Sequence, residues 1–174
     1  AGDMVTLFDG LGAEFTAEVT SLGRADVQLR IVARNEVDRE LPFQLTVGAA
    51  LPKGDRQKWL VEKLTELGVT QLVPLVTQRS VAQPTGKAVE RLERAVIEAC
   101  KQCGRNRLMQ IAPATRWSEF VAQVSPGADR RVAHPDAEIA AARETGWQLA
   151  GLGPRVLRTE TAAVALASAI ALAH

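Results

Sequence analysis

The chain contains no tyrosine, and its aromatics are limited to three tryptophans and four phenylalanines in 174 residues. Ala, Val and Leu must therefore fill any core. An apolar content of 47% is ample for one and excludes a disordered chain. Cysteine is almost lacking. Cys100 and Cys103 form a single CxxC, and His134 and His174 are the only histidines that could complete a four-ligand metal site. The pair falls at the end of a predicted helix rather than at a helix start after a strand, which argues against a thioredoxin-like redox motif. No metal is expected, and reduced thiols fit a cytoplasmic protein. Long apolar runs are missing as well. The longest charge-free one, from Thr161 to Ala173, is shorter than the ~20 residues of a membrane span, so no membrane partner is expected. There is no charged-then-apolar leader. The chain starts at Ala1 and enters a strand pattern almost at once, from which we expect a front end outside the sequence.

Charge is balanced overall but not along the chain. Residues 1–50 carry 4 basic and 8 acidic side chains, residues 51–107 carry 11 and 6, and residues 108–174 carry 6 and 6. A polyanion would dock on the middle third, unless that surplus is only a solvated face.

The N-terminal pattern is β. Strands are predicted at Met4–Phe8, Ala13–Val19 and Val27–Val32, with turns at Asp9–Gly12 and Ser21–Arg24. We read them as part of a small β-barrel, followed by a strand around Phe43–Val47. After Pro52 the period becomes helical. Asp55 is a plausible N-cap, Leu60, Leu64 and Leu67 share a face, and Gly68 stops the helix. Gln71–Thr77 reads as a buried parallel strand and Thr85–Cys103 as a second helix ended by Gly104. Further elements alternate: a strand from Ile111–Ala112, a helix at Trp117–Val124, a strand at Arg131–Ala133, a helix at Ala137–Thr145, a strand at Trp147–Leu152 and a final helix at Thr161–His174. Alternation of this kind predicts an α/β fold with a parallel sheet and flanking helices. Trp59, Trp117 and Trp147 are dispersed and read as packing residues, with RNA stacking as the other use.

The most specific stretch is Leu152-Gly153-Pro154-Arg155-Val156-Leu157-Arg158-Thr159-Glu160-Thr161-Ala162, set between a predicted strand and an uncharged helix. Gly153 lets backbone approach a ligand, and Pro154 stiffens the turn. Spacing alone leaves open an ordinary strand-to-helix loop with Thr159 as N-cap.

This stretch resembles the signature of the ribosomal RNA small subunit methyltransferase E family, uridine N3-methyltransferases of 16S ribosomal RNA. Three more stretches are similar in the same order. They are Lys53-Gly54-Asp55-Arg56 with Lys58, Glu62-Lys63 and Glu66-Leu67-Gly68; Pro74-Leu75 through Arg79-Ser80; and Glu98-Ala99-Cys100-Lys101-Gln102-Cys103-Gly104-Arg105-Asn106-Arg107. The resemblance implies a PUA-like RNA-binding β-barrel domain over residues 1–48, incomplete here. It implies a SPOUT methyltransferase domain over residues 49–174 with a trefoil knot, an exception to the rule against knots. A homodimer is implied too, acting on the decoding region of 16S ribosomal RNA or of the small ribosomal subunit. One departure stands out. The family's Gly-Pro-Glu-Gly-Gly loop, and the strand before it, have no counterpart between Pro135 and Asp136.

The cofactor implied by the resemblance is S-adenosyl-L-methionine. Its contacts would come from Leu75, Thr77, His134, Pro135, Leu152, Gly153, Pro154, Val156, Leu157 and Thr159. His134 otherwise reads as a buried, satisfied histidine. Uridine N3 is a weakly acidic imide that must lose its proton, so a fixed guanidinium near the uracil oxygens would stabilise the anion. Arg158 is expected in that role, and Glu160 in positioning or proton transfer. A salt bridge from Arg158 to Glu160 or to a partner chain is the alternative. Lys53, Arg79, Lys101, Arg105 and Arg107 are expected to meet RNA phosphates, or to be solvated charge. Two other functions remain open: a non-catalytic RNA-binding homologue, or a SPOUT enzyme acting on transfer RNA.

Overall fold

The computed structural model describes residues 1–77, 86–123, 127–133 and 139–173. Strands β1 (Met4–Phe8), β2 (Ala13–Leu22) and β3 (Val27–Glu36) form an antiparallel sheet in sequence order. The β1–β2 turn is closed by Asp9, whose carboxylate accepts from the backbone N–H of Leu11 at 2.7 Å and of Ala13 at 3.1 Å. The expected barrel is instead an open sheet among the described residues. Ala17 and Val19 on β2 are buried, whereas Leu29, Ile31 and Val32 on β3 stay exposed.

Strand β4 (Thr46–Ala49) leads into α1 (Arg56–Glu66), β5 (Gln71–Val76) and α2 (Gly86–Cys103). The expected boundary between residues 48 and 49 cuts through β4, which pairs parallel with β5 from Thr46↔Gln71 to Ala49↔Pro74. Helix α1 buries Leu60, Val61 and Leu64 and ends at Gly68 in a Schellman turn, with Val69 N–H on Leu64 O and Gly68 N–H on Thr65 O, both 3.1 Å. Asp55 holds the N-cap position, but its side chain caps nothing.

Short strands β6 (Gln110–Ile111) and β7 (Thr115–Arg116) add to β5 in parallel, and α3 (Trp117–Gln123) follows. Then β8 (Arg131–Val132), α4 (Ile139–Glu144), β9 (Gln148–Leu149) and α5 (Thr159–Ala171) complete the order. Strands β8 and β9 pair with each other in parallel, Arg131↔Gln148 and Val132↔Leu149, as a separate sheet.

Two apolar cores form among the described residues. The larger gathers Leu60, Val61, Leu64, Leu72, Leu92 and Val96 beneath β4 and β5, with Ala163, Val164, Ala167 and Ile170 of α5 packed on it. The smaller holds Val121, Val132 and Ala142 against Trp117, Phe120 and Trp147. Trp117 and Trp147 thus pack together, ring centroids 6.3 Å apart, while Trp59 is 41% exposed on α1. Phe120 reaches β4, where a Cβ on Gly48 would lie 2.6 Å from its ring.

Candidate active site

The 152–158 loop leaves the C-terminal end of β9, where ligands of parallel sheets bind. Backbone bonds from Gln148 N–H to Arg130 O and from Ala150 N–H to Val132 O, both 2.8 Å, fix its root on β8. Leu152 and Leu157 are half-buried, and Gly153, Pro154, Arg155, Val156 and Arg158 are exposed. Val156 is 96% exposed, an unusual position for a large aliphatic side chain. Gly153 has φ +90°, a conformation that side chains rarely adopt, and a Cβ there would meet only Arg155 Nη2 at 3.7 Å. The loop therefore offers open backbone flanked by aliphatic side chains. That donor set fits the adenosine half of S-adenosylmethionine, read by backbone groups and apolar contact.

Helix α5 begins where the loop ends, but Thr159 is its first residue rather than its N-cap. Arg158 holds the cap position in an extended conformation (φ −66°, ψ 152°), without a side-chain cap bond. Arg158 is not paired with Glu160 in the way the alternative reading required. Glu160 is buried and accepts instead from Arg56 Nη1 at 2.9 Å, joining the first turn of α5 to the first turn of α1. Burial pushes the Glu160 carboxyl up, but its own backbone N–H, the Arg56 guanidinium and the nearby charge of Arg158 outweigh this and hold it below the usual range. An ionised, ion-paired carboxylate of this kind is poorly suited to carrying a proton. Arg56 is thus a partner of the signature stretch that the sequence reading did not single out. The signal was an acid in the first turn of an otherwise uncharged helix, which needs a basic partner.

Leu75 is buried near the C-terminal end of β5, and Thr77 follows it half-buried. Both stand at the carboxyl end of a parallel strand, in the other sheet from the signature loop. His134, Pro135 and Arg79 lie outside the described residues.

The expected basic cluster divides. Arg105 is buried. It pairs with Glu40 at 2.5 Å and donates to Thr65 O at 2.8 Å and Val69 O at 3.1 Å, so its guanidinium is engaged inside the fold. Asn106 donates to Val37 O at 2.6 Å, and Arg39 bridges Glu14 of β2 and Gly104 O, so the same segment clasps the N-terminal sheet. Lys53 and Arg107 remain exposed, as does Lys101, which pairs with Glu98 at 2.8 Å on the surface. Lys101 also borders a groove of about 380 Å³ between β1 and α2, with Leu7, Phe8, Ile97 and Leu108 among its lining. The Cys100 thiol is buried and pushed up to about 11, chiefly by burial, the reverse of an activated thiol. Among the described residues, no three His, Cys, Asp or Glu side chains stand together as a metal group, and no helix is long and apolar enough to cross a membrane.

The chain thus joins a parallel α/β unit with a ligand-open loop beyond a strand to an antiparallel β sheet, an arrangement that does not by itself fix the activity. The sequence model of the RNA methyltransferase domain family matches residues 39–138 and 134–171. The ribosomal RNA small subunit methyltransferase E of Synechocystis is 31% identical over 204 aligned positions, covering 98% of this chain and 67% of the relative. That of Bacillus subtilis is 26% identical, with 97% and 81% covered. Among solved structures, a methyltransferase from Legionella pneumophila in complex with bound S-adenosylmethionine superposes with a TM-score of 0.91 at 30% identity, covering 99% of this chain and 84% of that one. The small subunit methyltransferase E of Neisseria gonorrhoeae, bound to S-adenosyl methionine, gives 0.90 at 28% identity and the same coverage. The chain belongs to the ribosomal RNA small subunit methyltransferase E family. The two segments matched by the family model overlap at residues 134–138.

Proposed function

We propose that this protein, as a cytoplasmic homodimer, methylates N3 of a uridine in 16S ribosomal RNA, with a PUA-like N-terminal unit and a knotted SPOUT catalytic unit. The observation that carries the reading is the signature loop, held at a strand end with open backbone at Gly153 and an exposed Arg158 at its close. S-adenosylmethionine, when bound, supplies an electrophilic methyl group. The loop backbone with Leu152, Val156 and Leu157 holds the adenosine, with Leu75 and Thr77 as further contacts. Arg158 stabilises the uracil anion that forms as N3 sheds its proton to solvent water. Lys53, Lys101 and Arg107 meet phosphates of the RNA. The homodimer finds support in α5, where Ala169 is exposed, and in Leu172 just beyond its end, which is 85% exposed.

The test is incubation of the purified protein and cofactor with small ribosomal subunits and with naked 16S RNA, followed by nucleoside mass spectrometry. N3-methyluridine is the expected product. A methyl group on another atom, or on transfer RNA alone, overturns the assignment. A second reading, an RNA-binding homologue without catalysis, is favoured by the missing glycine-rich loop. It predicts RNA binding with no cofactor binding.

A further inference from the structure

We infer that Arg56 is a positioning residue for the signature loop, and that Glu160 serves as its anchor rather than as a proton acceptor; the inference rests on the methyl-transfer reading above. Three observations converge. First, Glu160 lies two residues beyond Arg158 and is the only charged residue within α5. Its burial fixes the first turn of that helix, and the ion pair with Arg56 fixes that turn against α1. Second, Arg56 stands on a rigid base. Gln57 is buried and donates from Nε2 to Pro52 O at 2.8 Å, which holds the approach to α1. Third, the loop itself is tied down at its root by β8–β9 pairing, whereas residues 153–156 are exposed. The Glu160 end is therefore where the loop's far side is fixed, and the Arg158 N-cap conformation depends on it. Ala162 N–H donates to Arg158 O at 2.9 Å, so the turn that the pair holds is also the one that sets the Arg158 backbone.

Reach and direction matter more here than pair strength. Arg56 keeps about half its side chain in solvent, and such a pair adds little to global stability. A misplaced Arg158, by contrast, would lose much of its effect on a developing charge, because displacement of about 1 Å can cost on the order of 100-fold in rate.

The experiment compares the full protein with Arg56→Gln, Glu160→Gln, the double variant and Arg56→Lys. Two readouts are taken: amide exchange at Ala162 to Leu166, and the pH profile of single-turnover methyl transfer. The expected results are faster exchange in Arg56→Gln and Glu160→Gln and a fall in rate of roughly 10- to 100-fold in each. The double variant should be no worse than the poorer single one, Arg56→Lys should recover most of the rate, and the acid limb should stay in place. A lost acid limb in Glu160→Gln makes Glu160 a titrating catalyst and overturns the inference. So does an unchanged rate, whatever the exchange shows. If the wild type transfers no methyl group, the functional reading fails on its own account and exchange alone decides: unchanged amides overturn the positioning role, faster ones support it.

Discussion

Arg105 Nη2 lies 2.5 Å from Glu40 Oε2, and the pair joins the segment after α2 to the connection after β3 across 65 positions of sequence. Its side chains are only 5% and 16% exposed, and Arg105 also satisfies two backbone carbonyls on either side of Gly68. Removing one member of a buried, hydrogen-bonded pair strands the other charge.

Arg105→Ala should therefore cost about 3–5 kcal/mol in urea unfolding. Lys101→Gln, which breaks only a surface pair, should cost less than about 1 kcal/mol. Equal effects would mean that the Arg105 guanidinium is solvated.

RNA affinity should follow the exposed cations, two of which, Lys101 and Arg107, lie at or just after the end of α2. Lys101→Gln with Arg107→Gln should weaken binding and flatten the slope of log affinity against log salt by about 0.7–0.9 for each charge lost. Cofactor affinity should not move. An unaltered salt slope would turn this face away from RNA.

Much of this was legible in the sequence, and the exceptions have physical causes. The period-3.6 faces of α1 and α2 and the strand of β5 are local patterns, and they appear as read. The strand expected around Phe43–Val47 forms at Thr46–Ala49 because its register is set by parallel pairing with β5, a long-range contact. The inward place of Arg105 was hidden for a similar reason. Basic residues after a helix look like surface until a carboxylate 65 positions away draws one inward. Arg56 and Glu160, 104 positions apart, were each noted in a family motif, but their pairing exists only in three dimensions.

Gly153→Val should weaken binding of S-adenosylhomocysteine at least about tenfold by calorimetry, since a β-branched residue resists positive φ and would reshape the loop. The loop is exposed, so the unfolding midpoint should hardly change. Gly151→Ala is the control, because a Cβ there meets nothing within 4 Å and no unusual φ is required. Full affinity in a folded Gly153→Val protein would remove the loop from the cofactor site.

Alkaline stability should report on Cys100. Burial raises its thiol from 9.0 to about 11, so the unfolded chain holds fewer protons across that window. The stability contribution is intact below pH 9.0 and is lost as the pH rises toward about 11. Cys100→Ala should make the decline shallower than in the parent protein, as followed by denaturant midpoints at each pH. Identical slopes would show that other groups carry the loss.

The two cores give the molecule two cooperative units of unequal strength. Helix α5 is packed on the larger, whereas β9 belongs with the smaller, which is built from few residues around Trp147. Small packed units open at lower free energy than large ones. The signature loop is strung between them, so the first opening of this protein frees the β9 end of the loop while α5 stays docked. Local unfolding would then dismantle the cofactor loop long before the chain as a whole comes apart, and inactivation on warming would precede melting.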